Sequence, residues 1–230
     1  MFAVIFTVEP RKERWNDYLD LAKRLKPKLE AIDGFIDNER FESKRRKGRV
    51  LSLSTWRDEK AVVRWRTHGE HHAVQETGRN KIFEDYQLRV GEVTNDTDPP
   101  NGLTVEERRF DTTEAGSAKV ATITELTPKQ EGGVDAAADV VAAQLGLDAT
   151  RDGLVDVEAF ASIYNPGKLL VLALWRDAAT AKTWTPGRPA GAATVRRRHV
   201  RIIRDYGMFD RREAPQFYRD VGRSRRIAAE

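Results

Sequence analysis

With 230 residues, a formal net charge of +4 and no cysteine, the chain has room for one large domain or for two of roughly 100 residues. The lack of cysteine excludes disulfides, thiolate metal sites and cysteine nucleophiles. Forty per cent hydrophobic residues is enough for packed cores, 33% charged residues is typical of a soluble chain, and no apolar run approaches the ~20 residues of a membrane-spanning helix.

Met1–Phe6 has neither a basic leader nor a cleavage pattern. It therefore reads as the start of a first strand, Phe2–Val8, in a cytoplasmic protein with no membrane partner. Pro10 is expected to open a helix whose apolar face is Trp15, Tyr18, Leu19, Ala22, Leu25 and Leu29, at spacings of three and four. Gly34 stops it, and Phe35–Ser43 reads as a second strand. A polar turn follows at Lys44–Gly48, with Gly48 able to take positive φ. Arg49–Trp56 then alternates Leu51, Leu53 and Thr55 against Ser52, Ser54 and Trp56, the pattern of a half-buried strand. Asp58 can cap a helix over Glu59–Arg66. Gly69 interrupts that helix, which resumes through His72 to about Arg79, and Phe83–Val93 closes the series as a strand.

Thr94–Gly102 is polar and rich in proline and glycine, the composition of a linker. Beyond it the same order returns. A strand is predicted at Lys119–Leu126, an alanine-rich helix at Val134–Leu145, and strands at Leu154–Tyr164 and Lys168–Trp175. Thr185–Gly191 follows as a loop that no helix would tolerate. A last strand lies near Val200–Phe209 and a basic tail runs from Arg211.

An internal repeat explains the recurrence. Asp33–Trp65 aligned with Asp152–Trp184, at a constant offset of 119, gives 13 identities in 33 positions. Ordinary composition would give about two. The identities include Trp56/Trp175 and Trp65/Trp184. The predicted division is residues 1–97, a linker at 98–117, a second and more degenerate copy at 118–210, and the tail at 211–230. Each copy reads β-α-β-β-α-β, a ferredoxin-like sheet with helices on one face and the other face bare. A bare apolar face needs a partner. The predicted fold is therefore α+β: two tandem ferredoxin-like domains whose antiparallel sheets pack as an intramolecular α/β barrel. Further pairing of chains is left open. The arginine-rich clusters at Lys44–Arg49, Arg196–Arg204 and Arg211–Arg226 are read as hairpin tips and tails, and no nucleic-acid partner is expected, because no binding motif accompanies them.

The first copy, through Asp33-Gly34-Phe35, Trp56-Arg57-Asp58, the run Trp65–Gln75 and Phe83-Glu84-Asp85-Tyr86, resembles the antibiotic biosynthesis monooxygenase superfamily. The second copy resembles it more weakly. The resemblance implies a dimeric α/β barrel. It also implies, in some members, oxidation of polyketide anthrones or quinols by O₂ with no cofactor, and in others haem degradation. The haem branch uses an Asn on the first strand and a His ten residues after the helix tryptophan. Here Met1–Val8 and Lys119–Leu126 contain no Asn, and the ten-residue positions hold Gln75 and Thr194. Haem degradation and haem binding are accordingly the weaker expectation, with His72 one turn before Gln75 keeping haem in view.

Three of the four histidines fall at 68, 71 and 72. Gly69 breaks the helix between them and no third ligand is implied, so no metal site is expected. His71 and His72 are the candidate catalytic bases, since histidine titrates in the useful range. Trp65, Gln75 and Tyr86 are the candidate substrate-binding residues, Trp65 being either core packing or an aromatic wall. Two functions follow from the sequence. One is a cofactor-independent, monooxygenase-like protein acting on an aromatic or quinol-type small molecule. The other is a non-catalytic ligand-binding or structural module, which a solid core beneath Trp65 would favour.

Overall fold

Both halves of the chain fold in the same order. The computed structural model describes residues 1–128, 138–189 and 191–221. In the first half the elements are β1 (Phe2–Pro10), α1 (Trp15–Glu30), β2 (Phe35–Ser43), β3 (Val50–Trp56), α2 (Glu59–Arg66), α3 (Gly69–Thr77) and β4 (Phe83–Asp96). In the second they are β5 (Val120–Pro128), α4 (Ala138–Gln144), β6 (Leu154–Ser162), β7 (Leu169–Trp175), α5 (Ala178–Lys182) and β8 (Ala192–Gly207). The predicted start of the second-half helix at Val134, and the end of the tail, lie outside the described residues. No helix among the described residues is long and apolar enough to cross a membrane.

The eight strands form one closed antiparallel barrel in the order β1-β3-β2-β6-β7-β5-β8-β4. Each half supplies a four-stranded ferredoxin-like sheet, and the two sheets hydrogen-bond edge to edge at β2·β6 and β4·β8. Closure leaves no free edge. It also turns one face of each sheet inward, and strand alternation decides which. Ala3, Ile5, Leu51 and Leu53 of the first half meet Ile123, Leu170 and Leu172 of the second in a shared interior. The face that neither sheet could leave wet is thus buried by its counterpart.

The β2·β6 seam is built from repeat-related residues. Ser43 Oγ donates to Glu158 at 2.6 Å, and Ser162 Oγ donates to Glu39 at 2.6 Å. Such reciprocity is what a two-fold, self-complementary interface produces. Arg46 and Arg49 of the basic hairpin pair with Glu158 at 2.5 and 3.3 Å. Burial alone would raise the Glu158 carboxyl, but Arg46, Ser43 and Arg49 outweigh it and hold the group below the usual carboxylate range. At the β4·β8 seam, Gly91 is required by close approach, since a Cβ there would lie 2.4 Å from the Arg201 carbonyl oxygen.

Three features differ from the sequence expectation. Pro10 ends β1 rather than opening α1, and the register breaks at Glu9/Pro10 as it does at Thr127/Pro128, because proline lacks the N–H a ladder needs. The last strand begins at Ala192, eight residues before Val200, and so includes arginines read as a surface cluster. Arg198 is 1% exposed, donating to Thr55 Oγ1 at 3.0 Å and to Glu125. Lys168 bridges Glu125 and Glu39 at 2.6 and 2.5 Å. These are paired interior charges, which composition alone cannot tell from solvated ones. The segment between the halves is folded onto the barrel. Leu103 and Val105 pack on the interior core, and the Arg108 and Arg109 amides donate to the buried Glu92 carboxylate at 2.8 and 2.9 Å.

Candidate functional site

The outer face of the first-half sheet is covered by α1, α2 and α3, and the covering is incomplete. A cavity of about 200 Å³ lies between sheet and helices. Its sheet wall is apolar on β1 and β4, where Val4, Phe6, Leu88 and Val90 point outward, and polar on β2 and β3, where Asn38, Arg40, Ser52 and Ser54 do. Leu25 and Leu29 of α1 and Val62 of α2 form much of the helical wall.

The second half shows why the space exists. At the same offset of 119, Asn38, Arg40, Ser52 and Ser54 correspond to Val157, Ala159, Val171 and Ala173. Those four pack with Trp175 and Trp184 in a continuous apolar core. Trp184 is 5% exposed and donates its Nε1 to the Leu145 carbonyl at 2.7 Å, so it is a core residue. Trp65, its repeat partner, lines the cavity. The polarity of β2 and β3 on their helix-facing side keeps apolar side chains from closing over the first-half space. Asn38 Nδ2 donates to Ser52 Oγ at 3.0 Å and to the Leu53 carbonyl at 2.9 Å. Replacing Asn38 and Ser52 together by valine removes both partners of one bond, which is nearly neutral or stabilising when the shape is kept. We expect ligand binding to weaken by roughly tenfold or more, with a melting temperature unchanged or raised. A fall of more than about 5 °C in thermal denaturation would show instead that the polar pair is structural.

Four of the five residues singled out from the sequence come together here: Trp65, His71, Gln75 and Tyr86 all line the cavity. The His71 ring stacks on Trp65 with centroids 4.1 Å apart and planes 14° apart, and its Nδ1 lies 2.9 Å from the Trp65 carbonyl. A carbonyl can only accept, so Nδ1 carries the ring proton and Nε2 the lone pair. Desolvation, partly opposed by the Trp65 carbonyl, lowers the His71 pKa to about 4. The imidazole is therefore neutral across the physiological range. His72 is placed elsewhere. Its ring stacks on Tyr218 at 5.4 Å, with Nδ1 3.1 Å from the Tyr218 hydroxyl, and it is not part of the cavity wall.

Tyr86 marks the other end of the cavity. Its hydroxyl accepts from Arg79 Nη1 at 2.6 Å and from Arg211 Nη1 at 2.8 Å. Arg211 belongs to an irregular strap, residues 208–221, that leaves β8 and crosses the first half. Along it, Gln216 Nε2 donates to the Arg66 carbonyl at 3.1 Å, and the Tyr218 hydroxyl donates to Gln75 Oε1 at 3.0 Å. Sequence reasoning treated this stretch as a basic tail and missed Arg79, Arg211, Gln216 and Tyr218. The available signal was Pro215-Gln216-Phe217-Tyr218, an uncharged aromatic patch inside a basic run.

Comparison with known proteins fits this geometry. A family model described as antibiotic biosynthesis monooxygenase matches residues 1–77. A protein of Pyricularia oryzae named jasmonate monooxygenase ABM is 41% identical over 223 residues, spanning 95% of this chain and 98% of that one. The chain belongs to the antibiotic biosynthesis monooxygenase family. As a family member it also matches the Bacillus subtilis protein YqjZ, described as uncharacterized, at 33% identity over 92 residues, which is 40% of this chain and 78% of that one. Among solved structures, an aldoxime dehydratase superposes with a TM-score of 0.55 at 13% identity, covering 88% of this chain and 81% of that one, a likeness of fold. The match to the Pyricularia oryzae protein spans 95% of this chain, so it takes in both halves.

Proposed function

We propose that this family member is a monooxygenase that oxygenates a small, largely apolar molecule held in the first-half cavity, with His71 as proton acceptor. One observation carries the reading: a neutral imidazole, fixed in the Nε2-basic tautomer by a backbone carbonyl, sits in the wall of a largely apolar chamber, where the corresponding described residues of the other half pack as an apolar core. A cavity beneath Trp65 also supports an enzyme over a purely structural module.

In the proposed chemistry the substrate carries a proton acidified by conjugation, as in an anthrone or quinol. Nε2 takes that proton, leaving an electron-rich conjugated anion in the cavity. For an activated methylene, the anion gives an electron to O₂ and the two radicals join as a hydroperoxide. Loss of water then leaves a ketone, so that R₂CH₂ and O₂ become R₂C=O and H₂O without an added reductant. Trp65 forms a flat wall against a planar ring, and Gln75 and Tyr86 offer hydrogen bonds at its edges. A second substrate kind has separate support: the 41% identity to a jasmonate monooxygenase favours a jasmonate-type molecule, a small apolar carboxylic acid. The test is oxygen uptake with product mass spectrometry on a panel of anthrones, quinols and jasmonates. Substrate-dependent uptake with incorporation of ¹⁸O from ¹⁸O₂ is expected for at least one class. No uptake above background across the panel would count against catalysis.

A further inference from the structure

The geometry assigns a carboxylate-binding site to Arg79, Arg211 and Tyr86 at the strap end of the cavity; this deepens the proposed monooxygenase reading and rests on it. Arg79, from the wide π-type turn at Gly78–Ile82, is 3% exposed. Its Nη1 donates to the Tyr86 hydroxyl at 2.6 Å and the Met208 carbonyl at 3.1 Å, while its buried Nε meets no acceptor. Arg211 Nη1 donates to the same hydroxyl at 2.8 Å, and Nη2 donates to the Gln216 carbonyl at 2.7 Å. Both guanidinium carbons sit over the Tyr218 ring, 5.4 and 5.3 Å from its centroid. Two like charges therefore converge on one hydroxyl and one ring, and neither forms an ion pair with a carboxylate among the described residues.

That arrangement departs from the rest of the molecule. Arg198, the other fully buried cation among the described residues, has Glu125 as its acidic partner, and the part-buried Arg89 has Asp205. A desolvated guanidinium without a counter-charge is costly, and the cost is recovered when an anion arrives. The cavity wall carries three further arginines, Arg40, Arg66 and Arg204, and its one carboxylate among the described residues, Glu59, is engaged by Arg109 at 2.6 Å. Arginine's planar fork matches a carboxylate, and charge-assisted bonds of this kind are the strong ones. Tyr86 completes the set. Its oxygen accepts from both arginines, which leaves its own proton to donate to the ligand. The apolar remainder of the chamber then takes the hydrocarbon part of the molecule. The occupant is a small apolar acid bound as its anion. Arg211 comes from beyond β8, so the second half of the chain supplies part of the first half's site.

The experiment is calorimetric titration of jasmonic acid and its methyl ester at neutral pH into the intact protein and into Arg79→Gln and Arg211→Gln. The acid is expected to bind roughly tenfold to one-hundredfold more tightly than the ester. Each substitution is expected to bring the ratio towards one, the acid losing more affinity than the ester. If Arg79→Gln does not fold, the partly exposed strap variant Arg211→Gln decides alone. Equal affinity of acid and ester, a preference that survives in the folded variants, or failure of both molecules to bind would each overturn the assignment. Oxygen uptake with anthrones or quinols in any of those cases would leave the monooxygenase reading standing, which separates the two failures.

Discussion

Replacing His71 by alanine is expected to lower turnover by about 10²- to 10⁴-fold, the usual contribution of a positioned base. Substrate affinity should change far less, because the cavity's apolar wall and its arginines remain. His71→Gln keeps a polar group of similar size and should be as inactive, whereas His72→Ala, altering a residue outside the cavity wall, should retain most activity. The pH profile gives an independent reading. His71 must be neutral to accept a proton, and burial holds its pKa at about 4. Turnover should therefore stay level as pH falls through 6.5 and drop only near 4. An acidic limb at 6.5 would mean that the base is a solvated imidazole or another group. The linkage sign follows from the same shift. The folded pKa is below the unfolded value of about 6.5, so the unfolded chain takes up the proton first. The stability associated with a neutral His71 is whole above pH 6.5 and is lost as pH falls from there towards 4. His71→Gln should flatten that part of the stability–pH curve.

Ending the chain after Ala214 is expected to open the cavity without undoing the barrel. This deletion keeps Arg211 and also Glu213, which accepts from the Thr113 hydroxyl at 2.6 Å and the Asp205 amide at 2.7 Å. It removes Gln216 and Tyr218, and with them the bonds to Gln75, to the Arg66 carbonyl and to His72. Ligand affinity should fall by about tenfold to one-hundredfold, as the four hydrogen bonds that hold the strap over the cavity are lost and water gains access. The melting temperature should move by only a few degrees, because β8 ends at Gly207 and the strap contributes little to the interior core. Unchanged affinity would show that the strap lies over the site without shaping it.

Most of the barrel was legible in the sequence because its determinants are periodic. Leu51, Leu53 and Thr55 alternate with Ser52, Ser54 and Trp56, and that alternation alone says which side chains share a face. The repeat then supplied the second sheet, and the bare inner face supplied the reason for the two to meet. Asp58 was legible as a helix cap, and it accepts from the Ala61 amide at 2.8 Å. What the sequence hid was partnership. Arg196 and Arg198 read as surface charge until Asp96 and Glu125 are placed opposite them across strands. The candidate site was half visible. Trp65, His71 and Gln75 sit within eleven residues and stand out by type, but Arg79, Arg211 and Tyr218 are joined only by the fold. One clue was present and linear: positions 38, 40, 52 and 54 are polar where 157, 159, 171 and 173 are apolar. That contrast separates a cavity from a core.

Ligand is expected to occupy the first half alone, between the Trp65–His71 stack and the strap. A crystal structure of the protein with jasmonic acid or a quinol product tests it most directly. Density is expected against Trp65 and His71, with any carboxylate at Arg79 and Arg211, and solid packing around Trp184. Ligand density within the barrel interior, or beneath Trp184 in the second half, would contradict it.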